Sequence, residues 1–386
     1  MLTIPITPAL VRGCLSLEQG ARGLQPHRLP LWARAQCPDQ QLAMAESEPA
    51  GVRIAFRSRA SVIELDTVPT RFVYLGVPAR PAGVYDLLVD GRLTAQASAT
   101  GADTVTFDMA TGSVTKQEVG ISTLRFAGLP ERDKAVEIWL PYNETTELVA
   151  LRTDAPVEPF SEGSHKVWLH HGSSISKGSN TDSPSASWPA LAAAQGGVEL
   201  VNLGFSGSAL LDPFVARVMR DTPADLVSLK IGINLVNADL MRLRAFAPAV
   251  HGFLDTIRDG KPDTPILLVS PLHCPIHEDT PGPGAFDMEA LAAGKVAFRA
   301  TGNPAERAAG KLTLVTIRQE LERIARQRGE SDAHLAYLDG LDLYGPADFA
   351  ELPLPDALHP DAAAHRRIAQ RFADFAFADG GPLYPG

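Results

Sequence analysis

Two short stretches of the chain could together carry acyl-transfer chemistry. In Gly172-Ser173-Ser174-Ile175 a serine is released just past an apolar run, and in Asp356-Ala357-Leu358-His359 a carboxylate stands three residues before an imidazole. A serine hydroxyl is a weak nucleophile until a base takes its proton, and that base works best when a carboxylate holds its tautomer. Ser174 is therefore the candidate nucleophile, His359 the candidate base and Asp356 the residue that orients it. Such chemistry also needs donors for the developing oxyanion. Gly207, in Gly204-Phe205-Ser206-Gly207-Ser208, can bring its N–H close because no side chain blocks the approach. Asn234, in Gly232-Ile233-Asn234, can offer its side-chain amide, and the backbone N–H of Ser174 is a third donor. Taken singly, each of these residues also has an ordinary structural reading. Serines cap helices, an Asp-x-x-His turn can be a helix cap, and Gly and Asn favour turns.

The elements that must position these residues alternate. Apolar runs suited to buried parallel strands occur at 167–169, 198–203, 226–231, 266–269 and 335–338. Helical periods lie at 187–195, 210–219, 238–257 and 314–328, with a last helix over 361–377 that has Ile368, Phe372 and Phe375 on one side. This alternation predicts a three-layer α/β/α domain with a parallel sheet. Ser174 then falls at the carboxyl edge of the first strand, where open α/β sheets bind their ligands. The segment 273–311 is rich in Pro, Gly and Ala and is long enough for a lid or pocket wall.

Residues 1–155 carry no helical period. Alternating runs at 52–56, 62–65, 85–89, 104–107, 135–140 and 147–151 read as short strands, and Asp90-Gly91 predicts a hairpin with 92–97 as the returning strand. Many short strands separated by Gly, Pro and Asp predict an all-β antiparallel sandwich or jelly roll. The expected organisation is a β-sandwich accessory domain over 1–155, a proline-containing linker over 156–165 and a catalytic domain over 166–386.

The 386 residues suffice for two domains, and 45% apolar with 21% charged residues is the composition of a globular protein. A net charge of −10 argues against a nucleic-acid surface. No window is apolar for long enough to span a membrane. Cys14, Cys37 and Cys274 are too few and too scattered for a disulfide framework. Cys14 and Cys37 could pair in an exported protein. The amino terminus lacks the basic region of a signal peptide, so reduced thiols and a cytoplasmic location are the expectation. There is no phosphate-binding glycine loop, and no cofactor is expected. His273, Cys274, His277 and Glu278 could be drawn as a metal site, but Pro271 and Pro275 disfavour a shared helical face, and no metal is expected. His170 and His171 are expected to be satisfied structural residues, and Lys230 to be paired or near a strand edge. Ser206 nearly completes a Gly-x-Ser-x-Gly elbow, with Ser208 where the last Gly should be, and ranks second as nucleophile. The composition says nothing of oligomeric state.

Together the four stretches resemble the SGNH, or GDSL, hydrolases. Gly172-Ser173-Ser174-Ile175 corresponds to that family's Gly-Asp-Ser block, Gly207 to its glycine donor, Gly232-Ile233-Asn234 to its Gly-x-Asn-Asp block and Asp356-x-x-His359 to its Asp-x-x-His block. Ser173 and Leu235 depart from the pattern, each replacing an Asp. The domain order is similar to a subgroup with a leading β-sandwich, found in some carbohydrate esterases and in a salicylyl acyltransferase acting on the sugar of a tetracycline glycoside. The resemblance implies a serine esterase or acyltransferase working through an acyl-enzyme on an ester of a small hydroxylated substrate. Ester hydrolysis is the first expectation and transfer to a sugar hydroxyl of a natural product the second. A carbohydrate-binding protein with an inactive catalytic shell is the remaining one.

Overall fold

The computed structural model describes residues 1–108, 110–160 and 165–386, so that 161–164 of the expected linker lie outside the described residues. The chain divides into two compact units. Unit 1 comprises Met1–Pro30, Glu46–Ser164 and Ser183–Ser185; unit 2 comprises Leu31–Ala45, His165–Asp182 and Ala186–Gly386. Neither the excursion Leu31–Ala45 nor the return Ser183–Ser185 is visible in the boundaries expected from sequence.

Among the described residues, unit 1 forms an eight-stranded and a six-stranded sheet. Period-two alternation puts one face of each on a common core: along Ser122–Ala127 the residues are alternately buried and exposed. Ile63, Leu65, Leu124, Phe126, Leu148 and Leu151 of one sheet share a cluster with Ile54, Phe56, Tyr85, Leu87, Val136 and Ile138 of the other. The expected hairpin joins Val84–Val89 to Arg92–Ser98, and its turn residues Asp90 and Gly91 have φ of +47° and +74°, as a type I′ turn requires. Two expectations change. The strand beginning at Val62 runs on to Tyr74, and Asp103–Phe107 pairs with its end in parallel rather than antiparallel fashion. The stretch read as free of helix also contains Leu31–Arg34 and Gln40–Ser47, which at four and eight residues are too short to display a period. In Ser183–Ser185, both serine hydroxyls and the Ser185 N–H donate to buried Asp86 at 2.6–2.9 Å.

Unit 2 is an α/β domain. Among the described residues its parallel sheet has five strands in the order Glu199–Gly204, Val167–Gly172, Leu226–Lys230, Ile266–Val269, Leu335–Leu338. The strand Val167–Gly172 is hydrogen-bonded on both sides, with Gly172 level with Gly204 and with Lys230. The strand order reverses at this first strand, which makes its carboxyl end the topological switch point. Helices Trp188–Gly196, Pro213–Asp221, Leu243–Gly260, Leu314–Gly329 and Ala362–Ala376 lie where periodicity places them. The expected helix over 238–257 begins later, at Leu243, and runs on to Gly260, while Ile233–Asn237 is a separate short helix and Asp239, at φ +47°, lies between the two. On the last helix Ile368 and Phe372 are fully buried, but Phe375 is 41% exposed. Ala369, Ala373 and Ala376 complete the buried stripe, leaving Phe375 at its rim.

Under the sheet edge lies a buried aromatic cluster: the Trp168 ring is 5.1 Å from Phe372 and from Phe377 and 6.1 Å from Trp188. It encloses two histidines whose ring nitrogens are both engaged. Trp168 Nε1–H donates to Ser228 Oγ at 2.8 Å, Ser228 Oγ lies 2.7 Å from His170 Nδ1, and His170 Nε2 is 2.8 Å from Ser176 Oγ. His365 Nδ1 accepts from Trp188 N–H at 3.1 Å, while its Nε2 reaches the Ser179 carbonyl at 3.0 Å. Burial pushes His170 well below the usual imidazole range and His365 down to about 4, partly opposed in His365 by the Ser179 carbonyl. Both are therefore neutral imidazoles that tether the residues around Ser174. A histidine with a lowered pKa in the folded state adds stability that is full above its unfolded pKa of about 6.5. That stability is lost as pH falls towards the folded value, about 4 for His365. Urea unfolding should therefore show stability falling between pH 6.5 and 4, by on the order of 3 kcal/mol for His365 alone, and His365→Gln should flatten that slope.

Candidate active site

The site is assembled at the carboxyl edge of the parallel sheet. After Gly172 the chain turns into the short helix Ser174–Lys177, with Ser173 as its cap: the Ser173 hydroxyl accepts from Ile175 N–H at 3.3 Å. Serine and aspartate are comparable caps, which accounts physically for Ser173 where the family pattern has Asp. The turn sits hard against the next strand. A Cβ at Gly204 would come within 2.5 Å of the Lys177 nitrogen, so only glycine lets the two backbones approach. Asn202 fastens the same contact, its Nδ2 donating to the Ser176 carbonyl at 2.9 Å and its Oδ1 accepting from Gly204 N–H at 2.8 Å.

The structure brings Ser174, His359 and Asp356 together. Ser174 Oγ is 2.8 Å from His359 Nε2, and His359 Nδ1 is 2.8 Å from Asp356 Oδ2. Asp356 also accepts from the backbone N–H groups of Leu358 and His359 at 3.0 and 2.7 Å. Burial opposes its charge, but the His359 hydrogen bond and charge and the two backbone donors outweigh it and hold the carboxyl down to about 2. Asp356 is thus an anion at any pH at which the fold operates. The helix Ala362–Ala376 follows directly, capped by the Asp361 side chain on Ala364 N–H, so the loop bearing Asp356 and His359 ends on a rigid element.

The three expected donors stand just past the ends of neighbouring strands of the parallel sheet: Ser174 after Val167–Gly172, Gly207 after Glu199–Gly204 and Asn234 after Leu226–Lys230. Ser174 is the first residue of its helical turn, so its N–H has no intrahelical acceptor. Gly207 stands in the turn after Glu199–Gly204 with φ +69°. Asn234 Oδ1 accepts from Ala209 N–H at 3.1 Å, which leaves the Nδ2 end of the amide as the donor and links the two turns. Leu235, the second departure from the family pattern, is fully buried.

Three residues at the site carried no sequence signal. Asn180, at φ +67°, donates from Nδ2 to Asp356 Oδ2 at 3.0 Å. Phe298 lies edge-to-face on the His359 ring at 5.7 Å, and its N–H donates to the Asp356 carbonyl at 2.9 Å. It belongs to a hairpin, Gly284–Phe286 with Phe298–Ala300, inside the segment expected as a lid or wall. Gln41 Nε2 donates to the Ser206 carbonyl at 2.9 Å.

The remaining candidates have other tasks. Ser206 Oγ has no hydrogen-bond partner among the described residues, so no base stands ready to activate it. His273 Nδ1 and Cys274 N–H face Glu278, which also pairs with Arg318, while His277 Nδ1 donates to the Thr280 carbonyl at 3.0 Å. His171 Nδ1 reaches the Leu203 carbonyl at 2.7 Å. Lys230 does end its strand, and burial pushes its ammonium down to about 8. All three cysteines are free, and no described helix is long and apolar enough to cross a membrane.

Comparison with known proteins identifies a family and a shared fold. The profile of the GDSL-like lipase/acylhydrolase family matches residues 170–367. Among solved structures, the salicylyl acyltransferase SsfX3 from a tetracycline biosynthetic pathway superposes with a TM-score of 0.75 at 28% identity, over 96% of this chain and 95% of that one. A GDSL-like lipase from Bacteroides ovatus gives 0.64 at 17% identity, over 95% of each chain. An acetyl xylan esterase from the rumen bacterium Butyrivibrio proteoclasticus gives 0.52 at 12% identity over 98% of each. A search of curated sequences finds no match. With a matching profile over half its length, a serine in the family's first block and an imidazole within hydrogen-bond reach of it, the chain belongs to the GDSL-like lipase/acylhydrolase family and is a serine esterase or acyltransferase.

Proposed function

We propose that Ser174 Oγ attacks the carbonyl carbon of a small-molecule ester while His359 Nε2 takes its proton and Asp356 holds His359 Nδ1–H. The observation that carries this reading is the continuous chain Ser174–His359–Asp356, with two contacts of 2.8 Å. The N–H groups of Ser174 and Gly207 and the Asn234 amide receive the oxyanion. The tetrahedral intermediate collapses as His359 protonates the departing alcohol, leaving an acyl-serine. A second hydroxyl, from water or from an alcohol, then gives its proton to His359 and takes the acyl group, and His359 returns that proton to the departing Ser174 Oγ.

The preferred substrate is an ester of a small hydroxylated compound, a sugar or glycoside among them, and the preferred outcome is hydrolysis, in line with the family's description. The second reading, acyl transfer to a sugar hydroxyl, is favoured by the 28% identity with an acyltransferase over 96% of the chain. The β-sandwich serves as an accessory domain and 166–386 as the catalytic one. Three free thiols suit a reducing compartment such as the cytoplasm.

Ser174→Ala should abolish both ester cleavage and labelling by a fluorophosphonate, whose adduct maps to the peptide holding Ser174. Asp356→Asn should leave the fold intact and lower kcat by about 10⁴-fold through the wrong imidazole tautomer. Product analysis with an activated ester, with and without sugar alcohols, separates the outcomes. Free acid alone identifies a hydrolase and an acylated sugar a transferase. Sugar binding with no cleavage at all would leave only the binding protein.

A further inference from the structure

We infer that Gln41 is a positioning residue for the oxyanion site, acting through the Ser206–Gly207 peptide; this rests on the reading of Gly207 as a donor. Phe205–Ser208 is a β-turn closed by Ser208 N–H on the Phe205 carbonyl at 3.2 Å, with Ser206 at negative φ and Gly207 at φ +69°. These are the features of a type II turn. Its central peptide consists of the Ser206 carbonyl and the Gly207 N–H, which point in opposite directions because the peptide is trans. A type I turn differs chiefly by a rotation of that one peptide through about 150°, and glycine at the third position tolerates both forms. In the rotated form the Gly207 N–H would point the opposite way from its present direction. The residue type at 207 therefore permits the productive orientation without selecting it.

Gln41 supplies the selection. Its Nε2 donates to the Ser206 carbonyl at 2.9 Å, holding the oxygen end of the peptide so that the N–H end keeps its direction. A donor on the carbonyl also polarises the amide and strengthens what its N–H can donate. The contact is local to unit 2, which contains Leu31–Ala45. That segment is held by contacts with Arg217 and by a cap of its own. The Arg217 guanidinium lies over the Trp32 ring at 5.7 Å and hydrogen-bonds to Gln36. Asp39 Oδ1 accepts from Leu42 N–H at 2.7 Å at the start of Gln40–Ser47. The Gln41 side chain also lies 3.4 Å from the position a Cβ would take at Gly207, so it rests on the turn it holds.

The test compares an oxygen ester with the thionoester of the same acyl group, because hydrogen-bond donors stabilise a developing oxyanion far better than a developing thiolate. Gln41→Met keeps the length and loses the donor, at an exposed site. It should lower kcat on the oxygen ester about tenfold, short of the 10²–10³ lost with a whole donor, and leave KM and the thionoester rate within about twofold. An equal fall on both esters would show a merely structural role, and no fall would show no role; either overturns the inference. The underlying reading fails separately, if Ser174→Ala retains turnover.

Discussion

A carboxylate shut away from water keeps its charge only where enough donors face it, and Asp356 meets that condition with four. His359 Nδ1, Asn180 Nδ2 and two backbone N–H groups converge on its two oxygens, which outweighs the cost of burial. Two of those donors are backbone groups of its own turn, so the turn and the charge maintain each other. The same carboxylate faces His359 Nδ1, so that the ring turns its Nε2 to Ser174. The Phe298 N–H on the Asp356 carbonyl extends the same constraint into the hairpin Gly284–Phe286 with Phe298–Ala300.

The opposite side of the site depends on close packing rather than on charge. Ser174 is held because its short helix presses on Gly204 and because Ser176 is bonded from beneath by His170. That imidazole can serve only while neutral, since its Nδ1 faces Ser228 and its surroundings are Trp168 and Trp188. His170 and His365 each bridge two neutral partners, whereas the half-buried His359 bridges a carboxylate and the Ser174 hydroxyl.

Most of the α/β unit was legible along the chain. The five parallel strands and the helices between them announce themselves by local apolar runs and periods, because burial on both faces demands near-continuous Val, Ile and Leu. The expected strand edge at Gly172, the Asp356–His359 turn and the Asp90–Gly91 hairpin all rest on contacts within a few residues. What failed to show was short or distant. Leu31–Arg34 and Gln40–Ser47 hold too few turns for a period, and Phe375 sits at the rim of a stripe that alanines complete. Asn180, Phe298 and Gln41 are residue types common in any loop, and their partners lie 176, 58 and 165 positions away.

By itself, then, the sequence determined which residue types stand at which strand ends: a serine, two amide donors, and a carboxylate three residues before an imidazole. Those are local facts, written in hydrophobic period and turn chemistry. Only the tertiary structure decided that Ser174 and His359, 185 positions apart, come within 2.8 Å, that Asn180 and Phe298 meet Asp356, and that Gln41 reaches the Ser206 carbonyl. The physical reason is that a hydrogen bond depends on distance and direction in space. Neither is encoded at any one position; both arise when the parallel sheet brings the ends of its strands to one edge.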